Sequence, residues 1–234
     1  VPKTPWASMG LLLRIFGDPT PGVREDAPGT NLPKRCPERH IQEDETFCVG
    51  LRYIDVLSAE QATQWWEQLR QFIICQGVAE RTRRWPESQA VDHGDAGWHH
   101  ERALALAAEA DVVEEYAGAR LGEPSWLTNP SLRLFDKKGS PINGRAVCPR
   151  GCLRRARGRL VPITRRDCEK RKKTGCHKRR LLVDLAFTEQ QRRKALAEYW
   201  EHVFKSGLLC CRTMRGCPLA EHEDRQKSAG GEKP

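Results

Sequence analysis

Cys148 and Cys152 flank Pro149, Arg150 and Gly151 (CPRGC), and proline and glycine suit the tight knuckle that aims two thiolates at one ion. Cys168 and Cys176 follow, with His177 beside the latter. Zinc takes four such ligands and can fold a small loop that has no core of its own. Neighbouring Lys and Arg side chains lower thiol pKa values and favour the thiolate a metal requires. One structural zinc on Cys148, Cys152, Cys168 and Cys176 is therefore one expectation. Reduced, unliganded thiols are the other, because a zinc ribbon has a second tight pair and the gap from Cys168 to Cys176 is too long for one knuckle. Cys36, His40 and Cys48, and Cys210, Cys211, Cys217 and His222, are looser sets. Cys210 and Cys211 are adjacent, an awkward geometry for mutual pairing.

His93, Asp95, His99, His100 and Glu101 (HGDAGWHHE) could bind metal or exchange protons near neutral pH. Adjacent histidines at a helix start point in different directions, so a solvated helix entrance is the simpler reading. The sequence has no Walker loop, no G-x-G-x-x-G, no G-x-S-x-G and no H-E-x-x-H. A non-catalytic protein is expected, although triads assembled in space leave no such trace.

From Asp136 to Arg180 there are 17 Lys or Arg against 3 Asp or Glu, so this segment carries +14 and the rest about −5 of the total +9. Arg150, Arg154, Arg155, Arg157 and Arg159 form one cluster. Arg165, Arg166, Lys170, Arg171, Lys172, Lys173, Lys178, Arg179 and Arg180 form the other. Such density repels itself unless a counter-charge is present, and phosphates supply one while releasing condensed counterions. No aromatic residue lies between Asp136 and Arg180, which favours backbone contact over base stacking. An acidic protein partner or a nuclear-import signal would use the same charges.

The elements that position these residues can be read from spacing. Trp6 to Phe16 (WASMGLLLRIF) reads as a hydrophobic anchor or a short surface helix, and residues 17–46, rich in proline and glycine, as a loop or extended arm. A β-like stretch, Phe47 to Leu57, precedes a helix opened by the capping box Ser58 and Gln61. Ala62, Trp65, Trp66, Leu69, Phe72 and Ile73 give that helix its apolar stripe, and Gly77 suits its stop. A second helix, from about Trp98 to Gly118, has small apolar positions that allow close packing. Residues 131–142 read as strand, turn and strand, and a short strand is expected around Leu160 to Ile163. Leu181 to Phe187 suits a strand or the entry to the last helix. Thr188 with Gln191 repeats the capping box before Ala195, Leu196, Tyr199, Trp200, Val203 and Phe204, closed by Gly207.

The Ala-rich helix, LRLFDKKGSPI and RRKALAEYWEHVF, in that order, resemble the linker between the endonuclease and reverse-transcriptase regions of some non-LTR retroelement polyproteins. The resemblance covers about a third of the chain. The basic, cysteine-containing insertion departs from it, and no catalytic motif carries over.

Mean hydropathy is −0.67, polar for a compact globule, and no apolar run approaches the 18 or so residues of a membrane span. The expected fold is α+β and predominantly helical: an extended N-terminal arm (1–46), a helical domain (47–130), and a basic Cys-containing β/loop module able to bind zinc (131–187). An amphipathic helix with a Cys-rich end (188–217) and a polar tail (218–234) complete it. The expected function is nucleic-acid binding, RNA before DNA, through the phosphate backbone, in an intracellular setting. The alternative is a structural subunit of a large assembly docking on protein partners.

Overall fold

The computed structural model describes residues 11–50, 54–128, 153–162 and 179–230. The chain divides into two compact units, Val1–His93 with Ala197–Pro234, and Gly94–Leu196. The described chain is mostly helical, with two small two-stranded antiparallel sheets, in keeping with the expected α+β class.

In the first unit, β1 (Leu13–Phe16) pairs with β2 (Gly22–Glu25), Phe16 opposite Gly22. A Cβ at Gly22 would sit 2.8 Å from the Phe16 ring, so a side chain here would require that ring to move. The Glu25 carboxylate, buried, then accepts the amides of Gly29, Asn31 and Leu32 at 2.8–3.3 Å and organises the following turn. Of the two readings of residues 17–46, a loop or an extended arm, the structure has the loop. Their prolines and glycines fold a compact loop whose Val23, Leu32 and Ile41 are buried against Phe47, Trp65, Leu69 and Phe72. The hydrophobic run before it supplies strand β1, with Leu12, Ile15 and Phe16 exposed.

Helix α1 (Ala59–Thr82) starts as its capping box dictates. Ser58 Oγ accepts the Gln61 amide at 3.2 Å, while Gln61 Oε1 reaches the Leu57 amide at 2.9 Å. Its two tryptophans part company: Trp65 is 4% exposed and belongs to the core, Trp66 is 54% exposed. The helix runs through Gly77, against the expected stop. A mid-helix glycine costs about 1 kcal/mol relative to alanine, and burial of the flanking Gln76 and Ala79 outweighs that cost. The stop comes at Arg83 in the left-handed conformation (φ 56°). Its guanidinium donates to the carbonyls of Arg212 and Thr213 while its own carbonyl accepts from Arg215, tying the C-terminal segment to the end of α1.

In the second unit the expected long helix is broken. α2 (Asp95–Ala110) ends at Asp111, φ 58°, and α3 (Val113–Arg120) follows. The small residues Ala103, Ala107 and Ala110 are buried with Leu106, Tyr116, Leu182 and Leu185. Strands β3 (Leu153–Ala156) and β4 (Arg159–Pro162) form a hairpin whose turn residues Arg157 and Gly158 both have positive φ. α4 (Arg179–Lys205) absorbs Leu181–Phe187 as helix; from Ala197 on its residues belong to the first unit. Thr188 therefore caps nothing. It sits inside α4 and donates back to the Asp184 carbonyl at 2.8 Å, the usual recourse of a mid-helix threonine. The buried Glu189 carboxylate is held by Arg192 and Arg193 at 2.7 Å and by the Tyr116 hydroxyl at 3.2 Å. Gly207, φ 75°, closes α4, and α5 (Pro218–Gly230) ends the described chain. No helix among the described residues is long and apolar enough to cross a membrane.

Candidate active site

The loop from Cys36 to Cys48 builds the most chemically distinctive site of the first unit. Cys36 and Ile41 exchange backbone hydrogen bonds at 3.0 and 3.1 Å, and Gln42 donates its amide to Thr46 across a tight turn. His40 adopts the left-handed conformation (φ 54°, ψ 36°), its amide bonded to the Pro37 carbonyl at 2.7 Å. That conformation leaves the His40 carbonyl free to accept the Cys48 amide at 2.8 Å, which fixes Cys48 beside it.

Cys48 lines a cavity of about 220 Å³ with His40, Val49 and Gly50 on one side and Gln68, Gln71, Phe72 and Cys75 of α1 on the other. Trp85, Gln89 and Val91 complete the lining. Cys48 is half-buried, and its thiol reaches the Gly50 carbonyl at 3.7 Å. Burial pushes that thiol above its ordinary value, so it is protonated at neutral pH. Gln68 Oε1 is buried at the cavity with no hydrogen-bond partner among the described residues, an acceptor awaiting a donor.

The His40 ring turns to aromatic neighbours, Trp85 at 4.6 Å and His93 at 5.1 Å, and His93 stacks in turn on Tyr199 at 4.9 Å. Burial pulls the His40 imidazole down to about 3 and that of His93 to about 4, so both are neutral at pH 7. His40 thus serves Cys48 through its backbone carbonyl, and its ring stays uncharged in the aromatic layer. The arrangement places a cysteine, protonated at rest, at a narrow, largely apolar recess with room for a slender chain end.

The residues expected from sequence fare differently. Cys148, Cys152, Cys168 and Cys176 lie outside the described residues, as do Arg150, Arg165, Arg166, Lys170, Arg171, Lys172, Lys173 and Lys178. Arg154 falls on β3, and Arg155, Arg157 and Arg159 are exposed on the β3–β4 hairpin. Arg179 and Arg180 open α4, where Arg180 lies 3.9 Å from Asp184. The looser sets, Cys36 with His40 and Cys48, and Cys210, Cys211 and Cys217 with His222, do not converge on a point. Neither do the residues from His93 to Glu101: among the described residues no three His, Cys, Asp or Glu are placed to hold one metal ion. The Cys48 recess was missed by sequence reasoning. Its only signal in the sequence is a histidine eight residues before a cysteine, at the entrance to an amphipathic helix.

Comparison with known families gives two matches along the chain. Residues 2–87, which carry the recess, match the model of a prokaryotic E2 domain. Residues 92–219 match the model of a cysteine-rich domain that lies C-terminal to an E2 domain. The second match spans more than half of the chain, which belongs to that family; seven of the ten cysteines fall within it. The segments that resemble a retroelement linker also lie inside this match. No curated protein and no solved structure matches the chain.

Proposed function

We propose that the chain is a carrier of a ubiquitin-like modifier, holding the modifier's C-terminal acyl group as a thioester on Cys48. An E2 is a conjugating carrier, whose thiol accepts such an acyl group from another thioester and passes it on. The observation that carries the reading is the exposure of the three cysteines in the E2-matched residues 2–87. Cys36 is 2% exposed and engaged with Cys211, and Cys75 is 1% exposed within the core face of α1. Cys75 lines the same cavity as Cys48 but from within the core, and Cys48 is the one of the three that is part-exposed there. A recess of about 220 Å³ admits a glycine-like chain end and excludes a folded body.

In the transfer, Cys48 sulfur attacks the donor thioester carbonyl, the bond to the donor sulfur breaks, and the Cys48 proton leaves on the departing thiol. The experiment supplies a ubiquitin-like protein as its mercaptoethanesulfonate thioester and follows the adduct by intact mass. The expected result is one adduct, cleaved by dithiothreitol, mapped to Cys48, lost in Cys48→Ala and kept in Cys75→Ser. An adduct confined to other cysteines, or none at all, would sink the proposal.

A second reading is favoured by the exposed arginines Arg155, Arg157 and Arg159 on one hairpin. The basic segment then contacts a polyanion, RNA before DNA, or the acidic face of an assembly partner, and the cysteine-rich module is folded by one zinc on Cys148, Cys152, Cys168 and Cys176. Fluorescence anisotropy with RNA and duplex DNA across a salt series should show binding that weakens steeply with salt and vanishes on deleting residues 145–180. Metal analysis of protein purified without chelator should find one zinc per chain. No binding at moderate salt, or no zinc, removes the corresponding part.

A further inference from the structure

Two sulfur pairs stand apart from the Cys48 recess. Cys211 Sγ lies 2.9 Å from Cys36 Sγ, and Cys210 Sγ lies 3.6 Å from Cys217 Sγ. Two adjacent residues thus send their thiols to different partners, which avoids the strained closure of a neighbouring pair. The first pair is about 0.9 Å longer than a disulfide bond of about 2.05 Å.

The two members of that pair differ in access. Cys211 lines an open cavity of about 740 Å³ together with Lys34, Arg35, Arg39 and Leu209, whereas Cys36 is buried behind it. Arg39 is buried and bound to Glu80 at 2.9 Å, but Lys34 and Arg35 are exposed and share the one Glu45 carboxylate at 3.2 and 4.0 Å, so this edge of the cavity is only part-neutralised. We propose that Cys211 and Cys36 form a thiol–disulfide exchange site for an anionic low-molecular-weight disulfide, with Cys211 attacking and Cys36 resolving.

The supporting electrostatics agree with that order. The hydrogen bond from Cys36, with help from Thr213, holds Cys211 down at about 5, while the same contact and burial push Cys36 up. The Cys211 thiolate attacks one sulfur of R–S–S–R, forms Cys211–S–S–R and expels one thiolate. Cys36 sulfur then attacks Cys211 Sγ, expels the second R–S group and gives its proton to a departing thiolate. Two protein thiols are oxidised and one external disulfide is reduced to two small thiols. Cys48 takes no part, so the inference stands independently of the carrier reading.

The test treats the full chain with oxidised glutathione, quenches in acid, alkylates with N-ethylmaleimide in denaturant at neutral pH and maps the peptides. The expected result is a Cys36–Cys211 cross-linked peptide, loss of label at both residues, and full alkylation of Cys48 and Cys75. Cys36→Ser should accumulate glutathione on Cys211, and raising the salt should slow the reaction. Wild-type protein that keeps both Cys36 and Cys211 alkylated, or that carries glutathione on Cys211 with no cross-link, overturns the proposal without recourse to any variant.

Discussion

His40 and His93 are kept neutral by burial, and this determines how the first unit answers acid. In the unfolded chain both imidazoles take a proton near 6.5; in the fold they do so only near 3 and 4. Between these values the unfolded state binds more protons, so stability falls as pH drops from 6.5 toward 4. Glu38 acts in the opposite sense between 4.5 and 7, because burial and the Cys211 charge raise it to about 7. The histidine contribution is isolated by substitution: His93→Phe should keep the stack on Tyr199 and lose less thermal stability than wild type between pH 6.5 and 4, read by circular dichroism. At this scale the sequence showed Cys36, His40 and Cys48 as a loose metal-ligand set, and the structure does not bring them to one point. Spacing cannot tell a shared ion from a carbonyl–amide bond, and the left-handed backbone of His40 is what makes the second arrangement possible.

Helix α1 carries one wall of the recess, so its start matters to the site. Ser58→Ala removes the acceptor for the Gln61 amide and should cost about 1 kcal/mol, read as a lower denaturant midpoint with an unchanged slope. Helix starts of this kind were legible because a cap is local: Ser58 and Gln61 satisfy backbone donors whatever packs nearby. Helix ends and interior signals were not. Gly77 and Thr188 each carry a terminus signal, yet both lie inside long helices where burial of Ala79 and of Leu182, Leu185 and Ala186 decides. The break after Ala110 was equally hidden, since it depends on Asp111 adopting a left-handed turn with no glycine to announce it.

The first unit is made of two distant stretches of chain. His93 stacks on Tyr199 and lies 5.6 Å from Trp200, so the ends left by excising residues 94–196 are close together. Residues 1–93 expressed alone should melt without cooperativity. The same residues joined to 197–234 by a short Gly/Ser linker should recover a cooperative transition by calorimetry; two equally broad melts would count against this division. Charge and cysteine counts marked the basic segment at once, but they carry no information on which stretches share a core, and the turn-rich residues 17–46 concealed theirs. One consequence concerns the order of synthesis. Cys36 and Cys211 are 175 positions apart, and at ribosomal speeds of about 5–20 residues per second the first waits roughly 10–35 s for the second to emerge. Throughout that interval the nascent chain presents Cys36 without its partner, so a chaperone that shields the early segment would govern how much of the protein matures with the right sulfur neighbours.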